Sequence, residues 1–311
     1  MSETTYIAVA GGANIDIGGK SFQRVIPHDS NPGIVKISLG GVGRNIAHNL
    51  ALLGVPVKFF TAIGRDRNAE LIAESCRTLG IDLHALQAED VSTSSYLYVA
   101  DADGDMACAI SDMAVCERLT PAYFDSVLDV INGAKAFVMD TNLPQESIMF
   151  LAQNVKVPIF VDTVSVTKAA RLLGLLPYLH TIKPNRLEAE LLTGHKVETA
   201  GDAEAAAQIL LDKGIRQAYV SLGTEGVLAA QGEERIFFPS FKSETVSLTG
   251  AGDAFTAGLV YAYFQDEDFA QAGRTASAAA AIAIQSMETI NERMSPGYLR
   301  RVIRENKEDV T

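Results

Sequence analysis

The sequence predicts an α/β fold: a mostly parallel central sheet flanked by helices on both sides, with a small β-sheet lid over one edge. Three observations carry that expectation. Short β-rich runs alternate with amphipathic, helix-like stretches almost from end to end; the runs finish in polar residues; and two segments break the alternation.

The runs, in chain order, are YIAVAGG, VKFFTAIG, AFVMD, VPIFVD, YLHTIKP and QAYVSLG, and each precedes a stretch with helical character. In sheets built this way, ligands sit beyond the carboxyl ends of the strands. Those ends carry Asn14 and Asp16, Asp140 and Asn142, Asp162, Asn185 and Gly223. Residues 14–39 interrupt the rhythm with the short runs NIDIGG and GIVKISL around SFQRVIPHDSNPG. Residues 95–111 read as a hairpin, SYLYVA and MACAIS about DADGD. Neither segment has the long apolar centre of a buried parallel strand, so together they form the expected lid. The Ala-rich run TASAAAAIAI, 275–284, is too short to span a bilayer and is expected to pack closely as a helix. No low-complexity linker or repeat appears, so residues 1–311 are expected to form a single domain.

Composition narrows the classes of partner. Hydrophobic residues make up 48% and charged residues 21%, a globular mix. With 26 basic against 38 acidic residues the net charge is −12, and no Lys/Arg block interrupts the chain, which argues against nucleic acid or an anionic membrane. A small phosphate is still admissible, because helix N-termini attract anions locally. The three cysteines, Cys76, Cys108 and Cys116, lack metal or redox spacing. The five histidines show no H-E-x-x-H pattern. The start, MSETTYIAVAGG, has no basic region followed by an apolar core, and the protein is expected to be cytoplasmic.

Three stretches carry chemistry. In SLTGAGDAFTAG, Gly250, Ala251 and Gly252 lead into Asp253 at the mouth of a helix-like run. Free amides there would supply positive potential to an anion and Asp253 would face a hydroxyl; alternatively Thr249 is an ordinary N-cap and the glycines merely permit the turn. In KPNRLEAE, Asn185 and Glu188 have the spacing of a capping pair, and the same spacing aims a carboxylate where a hydrated Mg²⁺ would sit beside phosphates. In LGGVGRNIAHNLALLG, Gly40, Gly41 and Gly43 allow close approach of backbone to ligand, and Asn45 lies in the first turn of an amphipathic helix. The last is no dinucleotide fingerprint, since its glycines do not follow the first strand.

Taken in order, the polar-tipped first strand, the GG loop with Asn45, the NxxE helix start and the late GAGD resemble the ribokinase-like, or PfkB, family of carbohydrate and nucleoside kinases, over residues 5 to 300. The resemblance implies a ribokinase-like fold and transfer of a phosphoryl group from ATP with Mg²⁺. It implies Asp253 as general base with Gly250, Ala251 and Gly252 as the anion hole. It implies Asn14, Asp16, Gly41, Asn45 and Asn142 around the sugar. Asn185 and Glu188 would lie near Mg²⁺ and phosphates, with Glu188 the metal-side carboxylate, and Ser221, Gly223 and Gly226 along the nucleotide. Many members carry an acid six residues before the base, where it helps bind a monovalent cation; here that position is Ser247, which puts a potassium requirement in doubt. Pairing of lids into a homodimer is a further implication.

Within the family, DSNPG, GGVGRNIAHNLALLG, TSSYLYVADADGDM, SDM and KPNRLEAE look closer to the pseudouridine kinases than to the ribokinases. That similarity implies the 5′-hydroxyl of a nucleoside as acceptor. Ser95, Tyr96, Asp112 and Arg44 or Asn31 would then read the base; for each, an ordinary turn or surface role is the alternative. A ribokinase or another nucleoside or sugar kinase is the rival reading. A non-catalytic sensor on the same scaffold is another, against which the intact set of Asp253, Asn185 and Glu188 argues.

Overall fold

The computed structural model describes residues 5–306. Its strands, in chain order, are β1 (Ile7–Ala10), β2 (Asn14–Ser21), β3 (Gly33–Gly40), β4 (Val57–Ile63), β5 (Asp82–Gln87), β6 (Ser95–Ala100), β7 (Met106–Asp112), β8 (Ala136–Asp140), β9 (Ile159–Asp162), β10 (Thr181–Ile182), β11 (Gln217–Ser221), β12 (Gly226–Gln231) and β13 (Glu234–Pro239). The helices are α1 (Val42–Leu52), α2 (Arg67–Thr78), α3 (Pro121–Asn132), α4 (Gln145–Asn154), α5 (Val166–Ala169), α6 (Arg186–Thr193), α7 (Ala200–Asp212), α8 (Ala251–Phe264), α9 (Phe269–Ala283) and α10 (Pro296–Glu305).

Nine strands form the central sheet in the order β13-β12-β11-β10-β9-β8-β1-β4-β5. It is parallel from β11 to β5, and antiparallel only at the β11-β12-β13 edge. Alternation along the buried strands divides the core. Ile7 and Val9 of β1 face a cluster with Ile46 and Leu50 of α1, Ile72 of α2, Leu259 of α8, Ile282 of α9 and Leu299 of α10. Ala8 and Ala10 face the opposite cluster, with Phe124 of α3, Leu151 of α4, Leu192 of α6 and Leu210 of α7. Two-sided burial is the reason these strands read as continuous apolar runs.

The Ala-rich run of the sequence forms the C-terminal part of α9 and its C-cap Ile284, and α9 packs on α8 so tightly that a Cβ added at Gly258 would lie 2.6 Å from Ala276 Cα. Among the described residues no helix is long and apolar enough to cross a membrane.

The segments that break the alternation form a separate four-stranded sheet, β3-β2-β6-β7. Two antiparallel hairpins, β2-β3 and β6-β7, are joined through parallel pairing of β2 with β6. Its register sets two unlike faces. Ser38, Asp16, Tyr96 and Ser111 form one cross-strand row, while Ile37, Ile17, Leu97 and Ile110 form the next, on the other face. Because β2 starts four residues after β1 ends, the polar row begins where the central strands present their carboxyl ends.

Candidate active site

The loops beyond β1, β3, β8 and β9 meet the mouth of α8. Asp140, at the end of β8, is 1% exposed and ties three of these segments together. Its Oδ2 accepts the Gly12 N–H at 2.9 Å and the Gly43 N–H at 2.8 Å, and its Oδ1 accepts the Asn142 N–H at 2.8 Å. Burial raises its pKa, and these hydrogen bonds oppose the rise. The glycines of the GG loop are required by this packing as much as by any ligand: Gly41 has φ 98°, and a Cβ there would come within 2.4 Å of Gly12 O.

Helix α8 starts without a side-chain cap. Its N-cap is Gly250 at φ 80°, so Thr249 does not fill the capping role the sequence left open to it. A side chain at Gly250 would collide with Thr289 O, 2.1 Å from the built Cβ. Ala251 N–H reaches Leu248 O at 3.4 Å, whereas the N–H groups of Gly252 and Asp253 meet no acceptor among the described residues. Free donors at a helix start are an anion site in waiting.

Asp253 occupies the same mouth. Asn45 Nδ2 donates to its Oδ2 at 2.8 Å, joining α1 to α8. Burial, then the like charge of Asp162, pushes the Asp253 pKa up to about 7, against the lowering effect of Asn45 and Lys183. An aspartate expected to act as base needs no such shift on sequence grounds; burial produces most of it, and crowding with Asp162 and Asp140 adds to it. Asp162 is itself held by Thr256 Oγ1–H at 2.9 Å and by Val164 N–H at 2.9 Å.

On the nucleotide side, Asn185 and Glu188 form a capping box. Asn185 Oδ1 accepts the Glu188 N–H at 3.0 Å, and Glu188 Oε2 accepts the Asn185 N–H at 2.9 Å. The same Oε2 takes Thr163 Oγ1–H at 2.6 Å. Glu188 Oε1 makes no hydrogen bond to a described residue, so one oxygen of a buried carboxylate is left for a hydrated hard cation, as Mg²⁺ beside phosphates requires. No group of three or more His, Cys, Asp or Glu suited to an all-protein metal site occurs among the described residues. Near Ser247, backbone N–H groups of Val246 and Ser247 bond Ile284 O, and the Ser247 hydroxyl accepts the Thr249 N–H; no carboxylate stands at this position.

A cavity of about 430 Å³ brings together Asn185, Ser221, Gly223, Gly226, Ala251 and Gly252, walled by the apolar Phe238, Phe241, Leu248 and Ile284. Lys183 also lines it. This lysine is 9% exposed, has no hydrogen bond or ion pair to any described residue, and its Nζ lies 3.3 Å from a Cβ built on Gly252. It is absent from the residues the sequence points to, although a lysine closing a buried β-run is itself a signal, since a buried cation needs an anion.

On the acceptor side the positions separate. Asn14 Nδ2 donates to Asp16 Oδ1 at 2.6 Å, and burial raises the Asp16 pKa. Tyr96 shares a face with Asp16, whereas Ser95 and Asp112 pair with Ile15 on the opposite one, so Tyr96 and its neighbour Ser95 lie on different faces of the sheet. Asp112 is exposed and accepts the Ala114 N–H at 3.3 Å. Arg44 is 4% exposed and enclosed, bonded to Leu39 O, Asn45 Oδ1, His48 Nδ1 and Ser75 Oγ. Asn31 closes its own loop through Ile26 and Asp29. Enclosure and local turn chemistry thus absorb Arg44 and Asn31, which period-2 alternation and side-chain polarity alone do not reveal.

Comparison with known proteins finds relatives along nearly the whole chain. The model of the pfkB family carbohydrate kinases matches residues 4–295. The chain is 36% identical over 299 residues to a pseudouridine kinase of Escherichia coli (strain K12), covering 95% of each. It is similar in structure to a carbohydrate kinase from Agrobacterium tumefaciens, with TM-score 0.86 and 29% identity over 96% of this chain and 97% of that one. It is likewise similar to an Arabidopsis thaliana ribokinase complexed with ribose and ATP, with TM-score 0.88 and 25% identity over 96% of this chain and 99% of that one.

The burial of Asp253 beside Asp162 has a measurable consequence. Its ordinary pKa is 3.8 and its folded value about 7, so the fold is progressively penalised as pH rises between those values and fully penalised above them. Asp253→Asn removes the ionisable group and is expected to melt higher than the parent at pH 8, with the gap closing toward pH 4. Thermal melts across that range check it; equal melting temperatures at pH 8 would contradict the assignment.

Proposed function

The chain belongs to the pfkB family of carbohydrate kinases and is a sugar or nucleoside kinase; from that premise we propose that it moves the γ-phosphoryl group of ATP to the 5′-hydroxyl of pseudouridine. The observation that carries the site assignment is the coincidence of Asp253 with the unbonded N–H groups of Gly252 and Asp253 at one helix mouth. The choice of acceptor rests on the 36% identity to the E. coli pseudouridine kinase.

In this reading Asn14, Asp16, Gly41, Asn45 and Asn142 hold the ribose and aim its 5′-oxygen at Asp253. That oxygen attacks the γ-phosphorus as the bond to the β,γ-bridging oxygen breaks. The hydroxyl proton passes to Asp253, and ADP leaves. The free N–H groups of Gly252 and Asp253 face the charge on the transferring group, and Lys183 supplies a full positive charge from the cavity side. Ser221, Gly223 and Gly226 run along the nucleotide. Mg²⁺ would be held through Glu188 and would neutralise phosphate charge. The four-stranded sheet, with Tyr96 on its polar face, acts as a lid that excludes water.

ATP consumption against ribose, uridine, adenosine, inosine and pseudouridine tests the acceptor: pseudouridine is expected to give the highest kcat/KM. A preference for ribose would overturn the nucleoside reading and favour the ribokinase one, which the likeness to the ribose-bound Arabidopsis enzyme supports.

For Asp253→Asn we expect kcat to fall by at least ~10³-fold. In the parent, the base must be ionised, so kcat/KM is expected to climb with pH and level off above about 7. A variant with parental kcat, or a flat profile from pH 5 to 8, would remove Asp253 from the role of base.

The other face of the lid favours a homodimer. Val35, Ile37, Leu97 and Ile110 are 70%, 63%, 40% and 68% exposed on one sheet face, an arrangement that a second copy would cover. Sedimentation is expected to show a dimer that Ile37→Glu dissociates; a parent that sediments as a monomer at micromolar concentration would rule the pairing out.

A further inference from the structure

Arg44 is a charge buried where stability alone gives little reason for one. It stands in the first turn of α1, 4% exposed, and no ion pair joins it to a described carboxylate. Its bonds go to neutral acceptors instead. Nη1 donates to Leu39 O at 3.2 Å and to Asn45 Oδ1 at 3.3 Å, and Nη2 bonds His48 Nδ1 at 3.0 Å and Ser75 Oγ at 3.1 Å. Desolvating a guanidinium is costly, and neutral partners offset that cost less well than a carboxylate would.

These bonds fix the orientation of two neighbours. A guanidinium has N–H donors and no acceptor, so His48 Nδ1 accepts and the imidazole carries its hydrogen on Nε2, which lies 3.5 Å from Glu292 Oε1. Burial, then the Arg44 charge, pushes the His48 pKa down to about 4, so the ring is neutral. Asn45 is fixed in the same way: its Oδ1 is turned to Arg44 and its Nδ2 donates to Asp253 Oδ2 at 2.8 Å. The reversed amide would set Nδ2 against the donor-only guanidinium and Oδ1 against the carboxylate. An oxygen facing Asp253 is matched only when that acid is protonated and donates. Through Asn45, Arg44 therefore favours the ionised form of Asp253.

Other charged and titratable groups face both ends of this chain of contacts. Around Arg44 stand His48 on its own helix, Cys76 on α2, Glu292 in the loop before α10 and Asp16 on β2. Burial pushes the Cys76 thiol up to about 11, so it adds no charge at neutral pH, and Glu292 is exposed to solvent. Around Asp253 stand Asn45 on α1, Asp140 and Asp162 at the ends of β8 and β9, and Lys183 after β10. Among them Asn45 alone is bonded to both Arg44 and Asp253.

We propose that Arg44 is a positioning residue: it holds the Asn45 amide with its nitrogen toward Asp253 and so keeps that carboxylate in the form that accepts a proton, an inference that deepens the proposed phosphoryl transfer and rests on Asp253 as its general base.

The test is the pH profile of kcat/KM, with ATP and pseudouridine, in the parent, Arg44→Met, Arg44→Lys, Asn45→Leu and the double variant that joins Arg44→Met to Asn45→Leu. Arg44→Met frees the amide to turn, which gives the protonated acid a partner. Its profile midpoint is expected to rise by about half a pH unit or more, so that activity drops about threefold or more below pH 7 and the deficit shrinks toward pH 9. Arg44→Lys keeps a cation without the planar fork and is expected to shift less. Asn45→Leu is expected to raise the midpoint as well, and adding Arg44→Met to it to move the midpoint no further, because the arginine acts through the amide. A folded Arg44→Met with the parental midpoint, its activity lowered equally at every pH, overturns the proposal, as does a double variant whose shift is the sum of the two single ones. Should Arg44→Met not fold, Arg44→Lys takes its place in the same comparison. A flat parental profile removes Asp253 as general base, a result visible before any variant is made, so the two failures are told apart.

Discussion

The site depends on one buried carboxylate that never needs to touch a reactant. Asp140 collects backbone N–H groups from the loop after β1, from the start of α1 and from its own turn. Three chain segments with no sequence proximity are thereby held to one geometry, and Asn14, Asn45 and Asn142 take their places from it. Such a charge is costly to bury, and the hydrogen bonds offset that cost. The same knot explains why small residues crowd Gly11, Gly41 and Gly43, where backbone meets backbone or Asp140 itself.

Around this knot the acids accumulate. Asp140, Asp162 and Asp253 end or abut neighbouring elements of a parallel sheet, and burial, followed by the like charge of Asp162, raises the Asp253 pKa. The candidate site is thus electrostatically unbalanced in two senses. A buried lysine lacks an anion beside Gly252, and a buried aspartate resists ionisation nearby. A nucleotide phosphate chain would answer the first, and an acceptor hydroxyl offering its proton to Asp253 would use the second. In the proposed reaction the basicity gained through burial would serve proton acceptance at neutral pH.

The smaller sheet shows how strand periodicity divides labour. One row, Ser38, Asp16, Tyr96 and Ser111, lies on one face; the adjoining row of Ile37, Ile17, Leu97 and Ile110 lies on the other, with Ile17 packed against the central core. A single step along β6 separates a residue on the acceptor side from one on the apolar side. Side-chain polarity therefore identifies Ser95 and Tyr96 as equals, and register does not.

By itself the sequence determined the architecture and the family. Two-sided burial writes continuous apolar runs, as in AFVMD, and half-buried strands write NIDIGG and SYLYVA, so the central and smaller sheets are both legible. The GAGD and NxxE motifs are local, because a helix start needs its residues in order, and they were legible for the same reason. What only the tertiary structure decided is non-local. Lys183 earns notice through its distance to Gly252, and Arg44 is enclosed by Ser75 and His48. Hydrogen-bond partners and electrostatic crowding are set by distances in space, and those become defined once the sheet order brings β8, β9 and α8 together.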